Sequence, residues 1–257
     1  MIHPTAIIDP SAQIATDVEI GPYCVIGADV SIGAGSILKS HVAIEGHTSI
    51  GEGNTFFPFA AIGQQTQDLK YVGEPTALII GDNNVFRENC TIHRGTGEEV
   101  PTRIGNDNLF LCYSHVAHDC QIGNHCILSN NATLGGHCTV YDYAIISGLS
   151  AVHQFSRVGE HCMIGGMSRV PQDVPPFMIL AGSPIAVRGI NLIGLQRRGF
   201  SDESRRALKT AYKKLFLNKS KNMASAIEEF SAHEATKDPS VARLIDFLKT
   251  SERGYIR

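Results

Sequence analysis

Residues 104–140 read IGNDNLFLCYSHVAHDCQIGNHCILSNNATLGGHCTV, and every sixth residue is apolar: Ile104, Phe110, Val116, Ile122, Leu128, Leu134, Val140. The same step extends in both directions, from Ile2 to Val170. Of the 29 positions in that register 26 are Ile, Leu, Val or Phe; Asp68, Glu74 and Glu98 are the exceptions. Two residues earlier the side chain is usually small, as at Ala6, Ala12, Val18, Cys24, Cys120, Cys126 and Cys138. A spacing of two puts both residues on one side of an extended chain. A period of six is not the 3.6 of a helix. The pattern predicts units of about five strand residues and a turn, wound as a β-helix in which each coil pairs with the next.

Sequences of this hexapeptide class fold as coils of three units, 18 residues per turn and triangular in section. Resemblance to the class, not the period itself, implies a left-handed coil. Two gaps interrupt the register, 12 extra residues between Ile62 and Ile80 and six between Ile92 and Ile104. If both are excursions from a corner that consume no strand, Phe56, Phe86 and Phe110 stack on one face, beside Asn54, Asn84 and Asn108. Gln64, Arg94, His118, Gly136, Gln154 and Gln172 then form one column along an edge, with coils about 4.8 Å apart. His93, His137 and His153 flank it. Loops on a rigid scaffold are where binding chemistry concentrates, so this edge is the expected active edge.

Within it His118 stands out. Asp119 follows directly, a carboxylate able to orient an imidazole, and Gly136 stacks one coil on, offering a bare N–H. A base beside an open backbone donor suits acyl transfer. Metal is the competing reading, but there is no HExxH and His115 and His118 need not converge on a strand and turn. His41, His47, His125 and His161 read as exposed turn residues. Six cysteines fall in the small inward slot and read as core filler; Cys112 alone lies outside it.

The chain has 257 residues and a formal charge of 22 minus 25, or −3. That balance argues against nucleic-acid binding. No run approaches the roughly 18 apolar residues of a membrane span, and no secretory leader is evident at MIHPTAIIDP. Seven cysteines, an odd number, point to a reducing compartment, hence the cytoplasm. After Val170 the prolines of PQDVPPF end the register, and Ser201-Asp-Glu opens a helical pattern. The expected organisation is mainly β: a hexapeptide β-helix over 1–186, with excursions near 63–79 and 93–103, and a C-terminal α-helical domain over 187–257. Residues 188–222 carry ten Lys or Arg against Asp202 and Glu203, either a solvated face or a docking patch for an acidic partner or phosphate. Arg197 and Arg198 are the best phosphate candidates among them.

The stretches QDLKYVGEPT, TIHRGT, HVAHDCQIGNHCILSNNATLGGH, AVHQF, QDVPPFMILAGSP, GLQRRGF and ERGYIR, spread over nearly the whole chain, resemble the bacterial UDP-N-acetylglucosamine O-acyltransferases that open lipid A biosynthesis. The resemblance implies transfer of a (R)-3-hydroxyacyl group from acyl carrier protein to the glucosamine 3-hydroxyl. It also implies a homotrimer with active sites between subunits, no metal and no cofactor. His118 matches the general base, Asp119 its orienting partner and the Gly136 N–H the oxyanion donor. Asp68 and Lys70 match residues that hold the sugar, and His93, His115, His137, His153 and Gln154 the surrounding shell. Asn191 and Arg198 match the uridine and phosphate contacts, Gly166 a position that limits acyl length, and the basic helices would receive the carrier protein. Two positions depart from the family pattern: Ile193, where a Glu is common, and Pro184, where relatives carry His. The alternatives are the N-acyltransferase of the same pathway, which usually adds an N-terminal uridine-binding domain ahead of the hexads, and a zinc hydratase like the trimeric carbonic anhydrases of the related fold.

Overall fold

The structure is a computed structural model that describes residues 1–217 and 222–257. Short parallel strands form the three faces of a triangular prism, and apart from the last strand of the third face each pairs with the strands one coil below and above. The first face has nine strands, from Ile7–Ile8 to Arg169–Val170. The second has eight, from Gln13–Ile14 to Arg157–Val158. The third has ten and closes with Met178–Ala181 and an antiparallel strand, Ala186–Ile190. Most strands are two residues long, shorter than the five residues expected per unit. The rest of each unit is corner, where non-glycine residues such as Asp119, His137, Tyr143 and Phe155 adopt φ near +60°.

Both excursions leave the register intact. Ile62 pairs with Ile92 and Ile92 with Val116, while Phe56 pairs with Phe86 and Phe86 with Phe110. The three Phe rings stack 4.9 and 4.8 Å apart at 2° and 5° and are fully buried. Beside them Asn84 Nδ2 donates to Asn54 Oδ1 (3.0 Å) and Asn108 Nδ2 to Asn84 Oδ1 (2.9 Å). Each Asn also donates to a glycine carbonyl. Buried amides so paired cost little and lock each coil to the next. The six slot cysteines are buried; Cys112 is partly exposed against Glu88.

Among the described residues the register shifts in two strand pairs, the closing antiparallel pair between Ile179 and Leu180 and a pair beside the first excursion. Ile62 faces Ile92 but Gln64 faces His93, because a bulge lies between Ile62 and Gln64. Arg94 therefore leaves the expected column and turns across the corner, donating to the Gly63 carbonyl (2.9 Å).

The β structure runs through the boundary placed between residues 186 and 187, since the last strand ends at Ile190. Helices follow: α1 (Leu192–Arg197), α2 (Asp202–Tyr212), a π turn (Lys213–Leu217), α3 (Met223–Phe230), a 3-10 turn (Glu234–Lys237) and α4 (Pro239–Lys249). Ser201 caps α2 and Asp238 caps α4, each side chain accepting a backbone N–H. Lys219 and Lys221 of the basic segment lie outside the described residues. The chain end returns to the prism, where Ile256 N–H donates to the Asp173 carbonyl (2.9 Å). No helix among the described residues is long and apolar enough to cross a membrane.

The Phe stack should dominate the stability of the middle coils. Phe86→Ala, which leaves a hole between two rings, should cost about 3–5 kcal/mol, read by chemical denaturation. A loss below 1 kcal/mol would mean that the stack is not a packed core.

Candidate active site

The corner between the first and second faces holds His118 and, one coil on, Gly136. Neighbours in a strand point to opposite sides, but the left-handed turn at Asp119 (φ 59°) removes that alternation. His118 Nδ1–H can then donate to Asp119 Oδ2 at 2.7 Å. A carboxylate only accepts, so in the neutral ring the proton sits on Nδ1 and the lone pair on Nε2. Asp119 is held from behind: its Oδ1 accepts the Thr96 N–H (2.9 Å) and its own N–H donates to Thr102 Oγ1 (2.8 Å). The pair is largely buried, with side chains 13% and 5% exposed.

Gly136 lies against this imidazole. A Cβ there would stand 2.5 Å from His118 Cε1, closer than side chains pack. Its φ is not left-handed, so glycine is required by the neighbour and not by the backbone. Among the described residues the Gly136 N–H donates to no acceptor.

Both excursions converge on the pair. Thr96 Oγ1, in the second, lies 3.0 Å from His118 Nδ1 and 2.9 Å from Thr66 Oγ1 in the first. Thr66 Oγ1 accepts the Asp68 N–H (3.2 Å). Asp68 comes within reach of His118 and His137. Its carboxyl is held below the usual value, first by the Lys70 N–H it accepts. Lys70 itself is exposed.

The surrounding histidines differ in state. His93 is buried, donates from Nδ1 to the Gln65 carbonyl (2.7 Å), and burial lowers its pKa. His115 meets it edge-on and is pushed down to about 4, mainly by burial. His137 stacks on Phe155 (4.5 Å) and stands perpendicular to His118 (5.2 Å). His153 and Gln154 are exposed at the same corner, with His153 Nδ1 3.2 Å from an Arg253 nitrogen.

The remaining site candidates lie elsewhere. Asn191 caps α1 at the corner between the second and third faces, where its Nδ2 donates to the His161 carbonyl (3.0 Å). Arg198 lies over the Tyr143 ring (4.8 Å), and its buried Nη1 finds no partner among the described residues. Arg197 is exposed. Gly166 stands at the third corner, above Gly148. Ile193 is exposed beside Asn191.

His161 corrects the sequence reading. It is buried, stacked on Tyr143 (4.7 Å) and edge-on to Phe200 (4.9 Å), and burial pushes its pKa down to about 4. His47 belongs to a strand, His47–Ile50, rather than a turn. The sequence reading gave no role to Thr96, Thr66 and Thr102; the run TIHRGT pointed toward the first of these.

The chain is similar over its whole length to known proteins. Two family models match, one described as UDP-N-acetylglucosamine O-acyltransferase, domain 2, over residues 173–256, and one as bacterial transferase hexapeptide, over 1–33 and 101–136. An acyl-[acyl-carrier-protein]–UDP-N-acetylglucosamine O-acyltransferase of Saccharophagus degradans is 51% identical, with 100% of this chain and 99% of that protein aligned. The chain belongs to the UDP-N-acetylglucosamine O-acyltransferase family. Solved family structures agree with the fold. The Bacteroides fragilis acyltransferase superposes with a TM-score of 0.96 at 44% identity, covering 100% of both chains. The Acinetobacter baumannii protein gives 0.94 at 46%, covering 100% of this chain and 99% of that one. The left-handed parallel β-helix is thus the fold of this acyltransferase family member.

Desolvated histidines make stability depend on acid. Unfolding frees His161 and His115 to bind protons at their ordinary value near 6.5. Their stabilisation is therefore complete above that pH and is lost as pH falls toward 4. Each contributes at most about 1.4 kcal/mol per pH unit in that window. The melting temperature should drop between pH 7 and pH 5, and His161→Phe, which keeps the stack, should shrink the drop. An identical drop in the variant would remove His161 from the account.

Proposed function

We propose that this chain transfers a (R)-3-hydroxyacyl group from acyl carrier protein to the 3-hydroxyl of UDP-N-acetylglucosamine, the opening step of lipid A biosynthesis, in the cytoplasm. The observation that carries the reading is the full-length likeness at 51% identity, together with the oriented imidazole beside a bare amide. His118 Nε2 takes the proton of the 3-hydroxyl as that oxygen attacks the thioester carbonyl. Asp119 stabilises the imidazolium that results. The Gly136 N–H donates to the developing oxyanion. As the tetrahedral intermediate collapses the C–S bond breaks, and the imidazolium proton passes to the departing carrier thiolate. Asp68 and Lys70 hold the sugar, and His93, His115, His137, His153 and Gln154 shape its pocket. Neutral His93 and His115 add no competing cation beside the base.

The active unit in this reading is a homotrimer. Asn191 and Arg198, which would take the uridine and phosphate, and Gly166, which would bound the acyl chain, occupy corners other than that of His118. One prism cannot fold its own edges together. A three-fold ring instead brings different edges of neighbouring copies face to face. The third corner supports this with an exposed apolar ridge of Tyr23, Phe59, Tyr113, Leu149 and Met167. The basic helices, with Arg206 and Lys209 exposed on α2, would receive the acidic carrier protein.

Incubation with UDP-N-acetylglucosamine and a mixture of carrier-linked acyl donors should yield one O-acylated product, identified by mass. His118→Ala should lower turnover by about 10²–10⁴ with the fold retained by circular dichroism. Near-normal turnover in that variant would refute the base assignment, and an N-acylated product would refute the reaction.

Gly136→Ala tests the close approach separately. The added methyl must displace the imidazole, so kcat should fall by about 10²-fold or more with little change in melting temperature. Unchanged kcat would show that the ring is free to move aside.

A further inference from the structure

The active corner gathers more ligand atoms than a proton transfer needs. Asp68, His118 and His137 come from three separate segments, the first excursion and two successive coils. One potential ligand atom from each lies within 4.8 Å of the others. All three residues are half-buried. Two imidazoles and one carboxylate form the donor set of open zinc sites, which keep a fourth position for water or another ligand.

Three features of the corner fit such an ion. Ligating imidazoles usually carry a carboxylate on their other nitrogen, which fixes the tautomer; His118 has that partner in Asp119 Oδ2 at 2.7 Å, leaving Nε2 for the metal. Gly136 leaves the space beside the ring without a side chain. Asp68 rides on an excursion whose neighbours Leu69 and Lys70 are exposed, so its carboxylate has room to close the set.

We propose that Asp68, His118 and His137 form a binding site for a divalent cation of the zinc class, and that the bound ion inhibits. An ion on His118 Nε2 occupies the lone pair that would accept the substrate proton, and it consumes the carboxylate that faces the sugar. Metal and sugar nucleotide are then mutually exclusive ligands of one corner. The ion supplies no chemistry to the reaction; chelators should raise activity in zinc-exposed enzyme and leave metal-free enzyme unchanged.

Equilibrium dialysis of the full chain against zinc chloride tests the site without reference to turnover, so its failure would not touch the acyl-transfer reading. The expected result is one tightly held ion per chain. Affinity should fall by about 100-fold or more in His137→Ala and in Asp68→Ala, with both variants folded by circular dichroism. His125→Ala, at another corner, should bind as the parent does. Addition of UDP-N-acetylglucosamine should release the ion. Equal affinity in the parent and the two ligand variants would overturn the proposal, as would a parent that retains no zinc.

Discussion

Coil-to-coil pairing is the constraint from which the rest follows. Apart from the closing antiparallel strand Ala186–Ile190, every strand of the prism hydrogen-bonds only to strands one coil away, and a one-residue slip along a strand would turn its core side chains outward. An insertion must therefore leave and re-enter at the same corner. The 12- and six-residue gaps do so, and Phe56, Phe86 and Phe110 stay stacked across them. The Asn54–Asn84–Asn108 ladder enforces the same register with directional bonds. What the core forbids in the strands it permits at the corner, and polar chemistry collects there for that reason.

The fold was legible because its period is short and repeated many times. Each Ile or Val at a sixth position has the same inward environment, so the pattern averages over local exceptions. The close approach of His118 and Gly136 was legible too, since two positions 18 residues apart must stack. The misses have a shared physical origin. His161 looked like a surface turn because its cover, Phe200, comes from a segment with no periodic relation to it. Arg94 left its column because the bulge after Ile62 is set by the excursion and not by the repeat. Thr66 and Thr96 sit inside the excursions, where the register says nothing about which side chains meet.

The corner also separates its imidazoles by environment. His93 is buried and His115 half-buried, with their Nδ1 atoms on neutral oxygen partners, Gln65 and Thr91, and desolvation drives both toward the neutral form. His118 instead has the Asp119 carboxylate on its Nδ1 at 2.7 Å, and His137 Nε2 lies 3.5 Å from that same carboxylate. One residue type thereby meets two surroundings in a single corner, neutral oxygen partners and a carboxylate. The backbone N–H of Thr96 on Asp119 completes the division, because it keeps the carboxylate aimed at His118.

A rigid prism sets a limit on what one copy can do. Its corners stay apart by the width of a packed core, so groups on different corners cannot meet across a small molecule. Asn191 and Arg198 lie at one corner, Gly166 at another and His118 at the third. For such a scaffold the economical way to build a long cleft is to set one copy's polar corner against another's apolar ridge. In the homotrimer proposed above, the polar edge of one copy and the apolar ridge of its neighbour would be shaped by the same coil repeat, and the length of the cleft would follow from how many coils lie alongside.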